Sequence, residues 1–383
     1  MAAISFNVPH LTGRELEYAK EAFQRGHTAG NGLFTARCHA LIEERYRMRK
    51  VLLTQSCTSA LEMSALLAEI GPGDEVIVPS FTFVSTANAF ALRGASIVFA
   101  DSLSDHPNID PEHAASLVSS RTRAIVPVHY AGVACDMDRI TETATIHGLT
   151  IIEDAAQAID AYHKNRPLGT FGRLAAFSFH ETKNIISGEG GMLVVNDAAL
   201  DRRAEIVWEK GTNRAAFFRG EIDKYGWVDV GSSFLPSEIT AAFLLAQLEH
   251  VDDLQARRQA LWEGYRQRLQ PLATQGHLHL PTSPAYARHN AHIFYLVCRN
   301  LEERTALSNW LKSQGIEAVF HYQALHLSKF HLQRNARAHL PNAEAFSDRL
   351  LRLPLYFDLT ESQLDYIADC IAKFYVRFKS ICA

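Results

Sequence analysis

Between residues 51 and 195, short apolar runs rich in β-branched residues alternate with helix-length segments, and that alternation constrains the fold of this chain more than any other feature. The candidate strands are Val51–Thr54, Glu75–Pro79, Ser96–Ala100, Ala124–His129, Thr150–Glu153, Ala175–Phe179 and Gly191–Val195. Between most of them lie the helical patterns Ser59–Ile70, Ser85–Leu92, Pro111–Val118 and Met137–His147. Strands that are apolar nearly end to end have both faces covered, and intervening helices supply the cover. The pattern therefore predicts an α/β fold with a mainly parallel central sheet.

From about Ser237 the texture changes. Glu238–Arg268 is charged, amphipathic and almost free of breakers, which predicts one long helix linking two domains. Beyond it, HIFYLV (His292–Val297), a helical Glu302–Gln314, AVFHY (Ala318–Tyr322) and a helical Glu361–Phe378 predict a smaller C-terminal α+β domain. The expected division is residues 1–245 for the large domain and 246–383 for the linking helix and small domain.

Composition narrows the functional classes. With 38 Lys+Arg against 42 Asp+Glu the formal charge is −4, which argues against a nucleic-acid partner spread over the chain. Apolar residues at 47% and charged ones at 21% suit a globular protein and exclude disorder. No stretch approaches the ~20 apolar residues of a membrane helix. The opening MAAISFNVPHLTGRE has no basic segment followed by an apolar one, so a cytoplasmic location is expected. The cysteines, Cys38, Cys57, Cys135, Cys298, Cys370 and Cys382, lack CxxC spacing and are expected to be reduced and mostly packed as small apolar residues. The pairs His289/His292 and His321/His326 come without clustered carboxylates or cysteines, so no metal site is expected.

Ligands of open α/β sheets sit outside the carboxyl ends of the strands. Four loops at such ends carry chemistry. Gln55-Ser56-Cys57-Thr58-Ser59-Ala60 opens a helix with hydroxyls and free backbone N–H groups, which suits a phosphate or an ordinary N-cap. Ser80-Phe81-Thr82-Phe83-Val84-Ser85 places two aromatics near the same edge, where one can stack on a flat ring or both can be core. Asp154 ends a buried strand before Ala155-Ala156-Gln157; a carboxylate there needs a cationic or proton-donating partner, and a protonated pyridine nitrogen is one. Finally His180-Glu181-Thr182-Lys183-Asn184 precedes Gly188-Glu189-Gly190-Gly191, offering an amine nucleophile beside a tight loop. Read as GxGxxG this last loop fails, because the spacing is wrong and a strand follows it.

The segments SCTSAL, PSFTFVSTANA, PVHYAG, EDAAQA, FSFHETKN, GEGG and AAFLLAQLE, in this order and spacing, resemble the pyridoxal-phosphate sugar aminotransferases of the DegT type, which have the aspartate-aminotransferase-like fold. The resemblance runs from about Phe6 to LPLYFDLT at Leu353–Thr360. Within the family, KVLLTQSCTSALEMSALL, PVHYAGVACDMD, FSFHETKN and EKGTNRAAFFRGEIDKY are most similar to enzymes that aminate dTDP-4-keto-6-deoxyglucose at C4, giving dTDP-4-amino-4,6-dideoxygalactose, with L-glutamate as donor and 2-oxoglutarate as by-product.

The resemblance implies a role for each matching position. Lys183 is the lysine that bonds pyridoxal 5'-phosphate, Asp154 holds its pyridine nitrogen protonated, and Gln157 lies near its phenolic oxygen. Phe83 stacks on the ring, and Cys57, Thr58 and Ser178 meet the phosphate. Relatives bring an Asn to the phosphate from a second subunit in a GxNYR-like segment; here Gly231-Ser232-Ser233-Phe234 stands there, so Ser233 takes that position in an implied homodimer. By its own chemistry Arg219 suits either the substrate diphosphate or a surface salt bridge, and the resemblance puts His321, Tyr322 and His326 near the sugar-nucleotide mouth. The alternatives are amination at C3 or to the gluco epimer, a dehydratase, which carries His at the lysine position, and a cofactor-free regulatory protein of the same fold. The presence of both Lys183 and Asp154 speaks against the last two.

Overall fold

The computed structural model describes residues 3–382, with side chains as far as residue 377. Its centre is a seven-stranded sheet built from β1 (Val51–Thr54), β2 (Glu75–Pro79), β3 (Ser96–Ala100), β4 (Thr122–Ile125), β5 (Thr150–Asp154), β6 (Leu174–Ser178) and β7 (Gly191–Val195), in the order β1-β7-β6-β5-β4-β2-β3. Only β7 runs against its neighbours, so the other strands share a direction and deliver their carboxyl ends to one edge. Alternate residues feed opposite faces. Leu52, Ile152, Ala176 and Leu193 pack with Leu61, Met63 and Phe90 on one side. Val51, Leu53, Ala175, Phe177 and Val194 pack with Phe34, Ile42 and Leu245 on the other. Each fully buried side chain of this size stabilises the sheet by about 2 kcal/mol.

The expected strands are present, and three of them differ in their limits. Ala124–His129 is regular only to Ile125, because Pro127 has no N–H for the ladder. Pairing resumes beyond it, where Asp154 N donates to the Pro127 carbonyl and His129 N to the Asp154 carbonyl. At β5 and β6 the structure adds Asp154 and Leu174 to the runs read from sequence.

The single helix expected over Glu238–Arg268 is two. The first, Glu238–Leu248, ends where Glu249 accepts from Tyr18 Oη at 2.8 Å and pairs with Arg14 and Arg37, which pins it to helices Glu15–Gln24 and Leu33–Tyr46. The second, Val251–Thr274, starts with Asp252 and Asp253 in its first turn, where the helix dipole favours acid. Val251 and Leu254 pack on the large domain, whereas Leu261, Trp262, Tyr265 and Leu269 pack on the C-terminal unit. The link is this second helix, and position 245 falls inside the first.

The C-terminal unit carries β8 (Tyr295–Val297), β9 (Val319–Phe320) and β10 (Leu350–Arg352), with β10 central and antiparallel to both. Helices Leu301–Ser313 and Glu361–Cys382 cover it. AVFHY stops being a strand at Phe320, because Tyr322 adopts φ 48°. Cys38, Cys135, Cys298 and Cys370 are buried and Cys57 partly so, all as free thiols; the Cys382 side chain lies outside the described residues. Among the described residues, no helix is long and apolar enough to cross a membrane.

Beside Asp154, Glu153 points to the opposite face of β5 and is fully buried. Its Oε1 accepts from Phe171 N and Gly172 N, each at 2.7 Å, and its Oε2 from Gly169 N at 2.8 Å, with His129 Nε2 at 3.0 Å. A Glu153→Gln substitution puts an NH2 group against these donors. It should lower unfolding free energy by roughly 2–4 kcal/mol in equilibrium urea titration, and an unchanged midpoint would show that these contacts do not hold β5.

Candidate active site

The four polar loops meet at the carboxyl edge of the sheet. Ser56 caps helix Cys57–Leu67 by accepting from Ser59 N, which leaves the first backbone N–H groups of the helix directed out of the edge. Thr58 Oγ1 shares a 2.8 Å hydrogen bond with Ser85 Oγ, tying the first loop to the second. Gly191 lies so close that a Cβ there would stand 2.4 Å from Cys57 N, so only glycine fits under this helix start. Ser178, the last residue of β6, accepts from His180 N at 3.3 Å.

Phe83 precedes helix Val84–Ala91 and leaves its ring 56% exposed at this edge, rather than in the core. Its nearest aromatic partner is Tyr322, at 6.1 Å between ring centres. Phe81, the other aromatic of the loop, is fully buried. One loop thus supplies both an open ring and a core ring, which the sequence alone could not separate.

Asp154 is buried, and its acceptors are met only by neutral donors. Oδ2 takes the Thr86 hydroxyl at 2.7 Å and Oδ1 takes Ala156 N at 3.1 Å. Burial pushes its carboxyl up, against these hydrogen bonds and the positive charge of Lys183. Thr82 Oγ1 backs Thr86 at 2.8 Å, so the hydroxyl that meets the carboxylate is itself held in place. Thr86 escaped the sequence reading although it lies three residues beyond Phe83 in the same motif.

Lys183 sits in the tight connection between β6 and β7. Its N–H donates to the His180 carbonyl, Glu181 N to that of Gly188, and Ser187 N to that of Phe179. Among the described residues no hydrogen bond or salt bridge engages its ammonium. Burial lowers its pKa, opposed by Cys57 and Asp154. The Cys57 thiol is raised by burial and then by Asp154, with Lys183 opposing, so these three groups sense one another.

The C-terminal unit closes the site. Gln157 Oε1 accepts from Ala131 N at 2.6 Å and its Nε2 donates to Tyr322 Oη at 3.0 Å. His321 stacks on Tyr322 with ring centres 3.6 Å apart and shares a 2.8 Å hydrogen bond with Tyr130 Oη. Burial, then Arg352 and Lys183, keep the His321 ring well below its ordinary pKa, hence neutral. Asn184 donates from Nδ2 to Gln255 Oε1 and the Asn290 carbonyl, so its Oδ1 accepts from His292 Nδ1 at 2.8 Å. None of Tyr130, Asn184, His292 and Arg352 was singled out from the sequence as a site residue, because contacts between separate domains leave no local pattern.

Three expected positions fall elsewhere. His326 has no exposed side-chain surface, and both its ring nitrogens are taken, by Ser80 Oγ at 2.6 Å and Glu344 at 3.2 Å, so it locks the domains together rather than facing a substrate. Arg219 gives its guanidinium to Glu205 at 2.9 Å and Glu221 at 2.7 Å on the surface and is not brought to this cluster within its own chain. Ser233 is exposed, but its segment has partners in its own chain: Gln55 Nε2 donates to the Ser233 carbonyl and Gln55 N to that of Phe234, both at 2.9 Å.

Comparison with known proteins places this arrangement. The aminotransferase TlmJ from Streptoalloteichus hindustanus superposes with a TM-score of 0.91 at 28% identity, covering 98% of this chain and 100% of TlmJ. A DegT DnrJ EryC1 StrS aminotransferase from Brucella abortus gives 0.84 at 32% identity, covering 94% and 95%. The PLP-form of Spr1654 from Streptococcus pneumoniae shares the fold, with a TM-score of 0.89 at 24% identity over 98% and 99% of the two chains. Residues 9–372 match the profile of the DegT/DnrJ/EryC1/StrS aminotransferase family, and the chain belongs to that family.

Proposed function

We propose that this chain aminates a nucleotide-linked keto sugar, taking the amino group from L-glutamate and returning 2-oxoglutarate. Pyridoxal phosphate is the cofactor. The residues fit it: an exposed ring at Phe83, a helix start approached closely by Gly191, a buried carboxylate at Asp154 with no counter-cation, and an unengaged amine at Lys183. When bound, the cofactor supplies an electron sink that lets the Cα–H bond of an amino donor ionise, and it carries the amino group to the sugar ketone.

The single observation that carries this reading is that Lys183 and Asp154 are both buried within electrostatic reach of each other. Asp154, oriented by Thr86, holds the proton on the pyridine nitrogen, and that positive charge in turn offsets the burial of the carboxylate. Lys183 would bond the cofactor, and its freed Nζ would take the proton from the donor Cα. Burial favours the neutral amine this step requires. Phe83 would support the ring face, Gln157 would lie near the phenolic oxygen, and Cys57, Thr58 and Ser178 would take the phosphate.

For the sugar, the motifs shared with the C4 aminotransferases support dTDP-4-keto-6-deoxyglucose, with dTDP-4-amino-4,6-dideoxygalactose as product. Tyr322 and His321, stacked on one another, would flank its entry. A nucleotide diphosphate supplies remote binding energy that positions the ketone, so a free keto sugar should react far more slowly. A homodimer completes the reading. Trp227 is 83% and Phe218 67% exposed on the segment that leads to Ser233, an apolar surface suited to a second copy of this chain. Its setting is the cytoplasm, where free thiols such as Cys57 stay reduced.

Asp154→Asn should lower turnover of the cofactor-loaded enzyme on the order of 100-fold. It should leave the melting temperature of the apoprotein unchanged or higher, since a buried charge is removed and the amide keeps its volume. Wild-type turnover would reduce Asp154 to a structural cap. In a panel of dTDP-linked keto sugars with products identified by NMR, the 4-keto compound should be the best substrate; a 3-keto sugar turned over ten times faster would reassign the ring carbon.

A further inference from the structure

Arg352 ends β10, in register with Tyr295 on one side and Val319 on the other. Its Nη2 donates to the Phe320 carbonyl at 3.2 Å, and its guanidinium carbon lies 4.7 Å from the centre of the Phe6 ring. Its Nε is buried with no hydrogen-bond partner, and no carboxylate pairs with it among the described residues. Arg258 is the instructive contrast. More deeply buried than the half-buried Arg352, it spends Nε on the Ala291 carbonyl at 3.2 Å and Nη2 on that of His292 at 2.7 Å, as a structural arginine should.

A guanidinium left with an orphaned buried donor and no counter-ion is costly unless an anion occupies the space beside it. The groups that sense its charge are those of the candidate site. After burial itself, Arg352 contributes to lowering the pKa of Lys183, His292 and His321, and it opposes the upward push of burial on the Tyr130 and Tyr322 hydroxyls. The pocket therefore brings the Lys183 amine and the Arg352 guanidinium within electrostatic reach of one another, and its carboxylate is Asp154. That carboxylate is committed to Thr86 and Ala156.

We propose that Arg352 binds the α-carboxylate of the amino donor and of the 2-oxo acid it becomes. The inference rests on the aminotransferase reading above and extends it to the donor subsite. Lys183 must reach the donor Cα to take its proton, and the carboxylate one bond from Cα then lies on the Arg352 side of the pocket. A planar guanidinium meets a carboxylate through two parallel hydrogen bonds, and the free Nε supplies one of them. The diphosphate of the sugar nucleotide carries similar charge but is separated from the reacting ketone carbon by much of the sugar ring, so it falls further from Lys183.

The test compares wild type, Arg352→Gln and Arg352→Lys as cofactor-loaded enzymes, with thermal melting to confirm folding. Glutarate, which has no amine to transfer, is titrated by calorimetry, and KM is measured separately for L-glutamate and for the keto sugar nucleotide. Arg352→Gln should weaken glutarate binding and raise the glutamate KM by about 30-fold or more, with the sugar-nucleotide KM within about twofold. Arg352→Lys should fall between the two, since it keeps the charge and loses the fork; if Arg352→Gln does not fold, Arg352→Lys carries the comparison. Unchanged glutarate affinity overturns the proposal, as does a rise confined to the sugar-nucleotide KM, which would assign the cation to the diphosphate. The outcome is separable from the substrate reading: wild-type enzyme that aminates none of the keto sugars would sink that reading while the glutarate comparison still decides Arg352.

Discussion

The buried carboxylate of Asp154 is the constraint around which the rest of this site is arranged. It stands at the end of a central strand, where a charge is expensive, and the chain gives it only a threonine hydroxyl and one backbone N–H. Two neutral hydrogen bonds do not replace the hydration of a carboxylate, and burial accordingly raises its pKa. A structure that keeps such a group needs a cation that comes and goes, and a protonated cofactor ring meets that need. The same burial acts in the opposite sense on Lys183, favouring a neutral amine. One dry environment thus acts on both residues of the proposed chemistry, Asp154 and Lys183.

Rigidity comes from contacts that cross between the domains. Gln157 joins the large domain to Tyr322, Tyr130 to His321, Asn184 to His292 and Ser80 to His326. Asp101 accepts from Asn342 N at 3.2 Å and Ala343 N at 2.8 Å at the start of helix Pro341–Arg349. Each bond contributes about 1 kcal/mol on its own, but together they fix the second half of the pocket relative to the first. The Asn184 contact matters most for position, because it anchors the residue next to Lys183 and so limits where the amine can point.

How much of this was legible in the sequence depended on the range over which each feature is encoded. The strands of the large sheet were readable because buried parallel strands are written in consecutive residues; Val51–Thr54, Glu75–Pro79, Ser96–Ala100 and Gly191–Val195 have the same limits in the sequence reading and in the structure. The loops with Cys57, Thr58, Phe83, Asp154 and Lys183 were readable because they follow strand ends. Three kinds of feature were not. The break after Leu248 arises from ion pairs with two other helices, which periodicity cannot reveal. β10 is three residues long and runs into Pro354, too short to register as a strand. Thr86 and Arg352 acquire meaning only from what stands opposite them in space, and His326, which lies in the same motif as His321, is spent on packing.

The central claim is that Lys183, alone among the lysines, bonds the cofactor beside Asp154. Reduction of the purified holoenzyme with borohydride, followed by proteolysis and mass spectrometry, reads this directly. The account predicts a single pyridoxyl phosphate adduct on the peptide containing His180–Asn184, at Lys183. An adduct on another lysine, or none on a protein that retains cofactor, would contradict it.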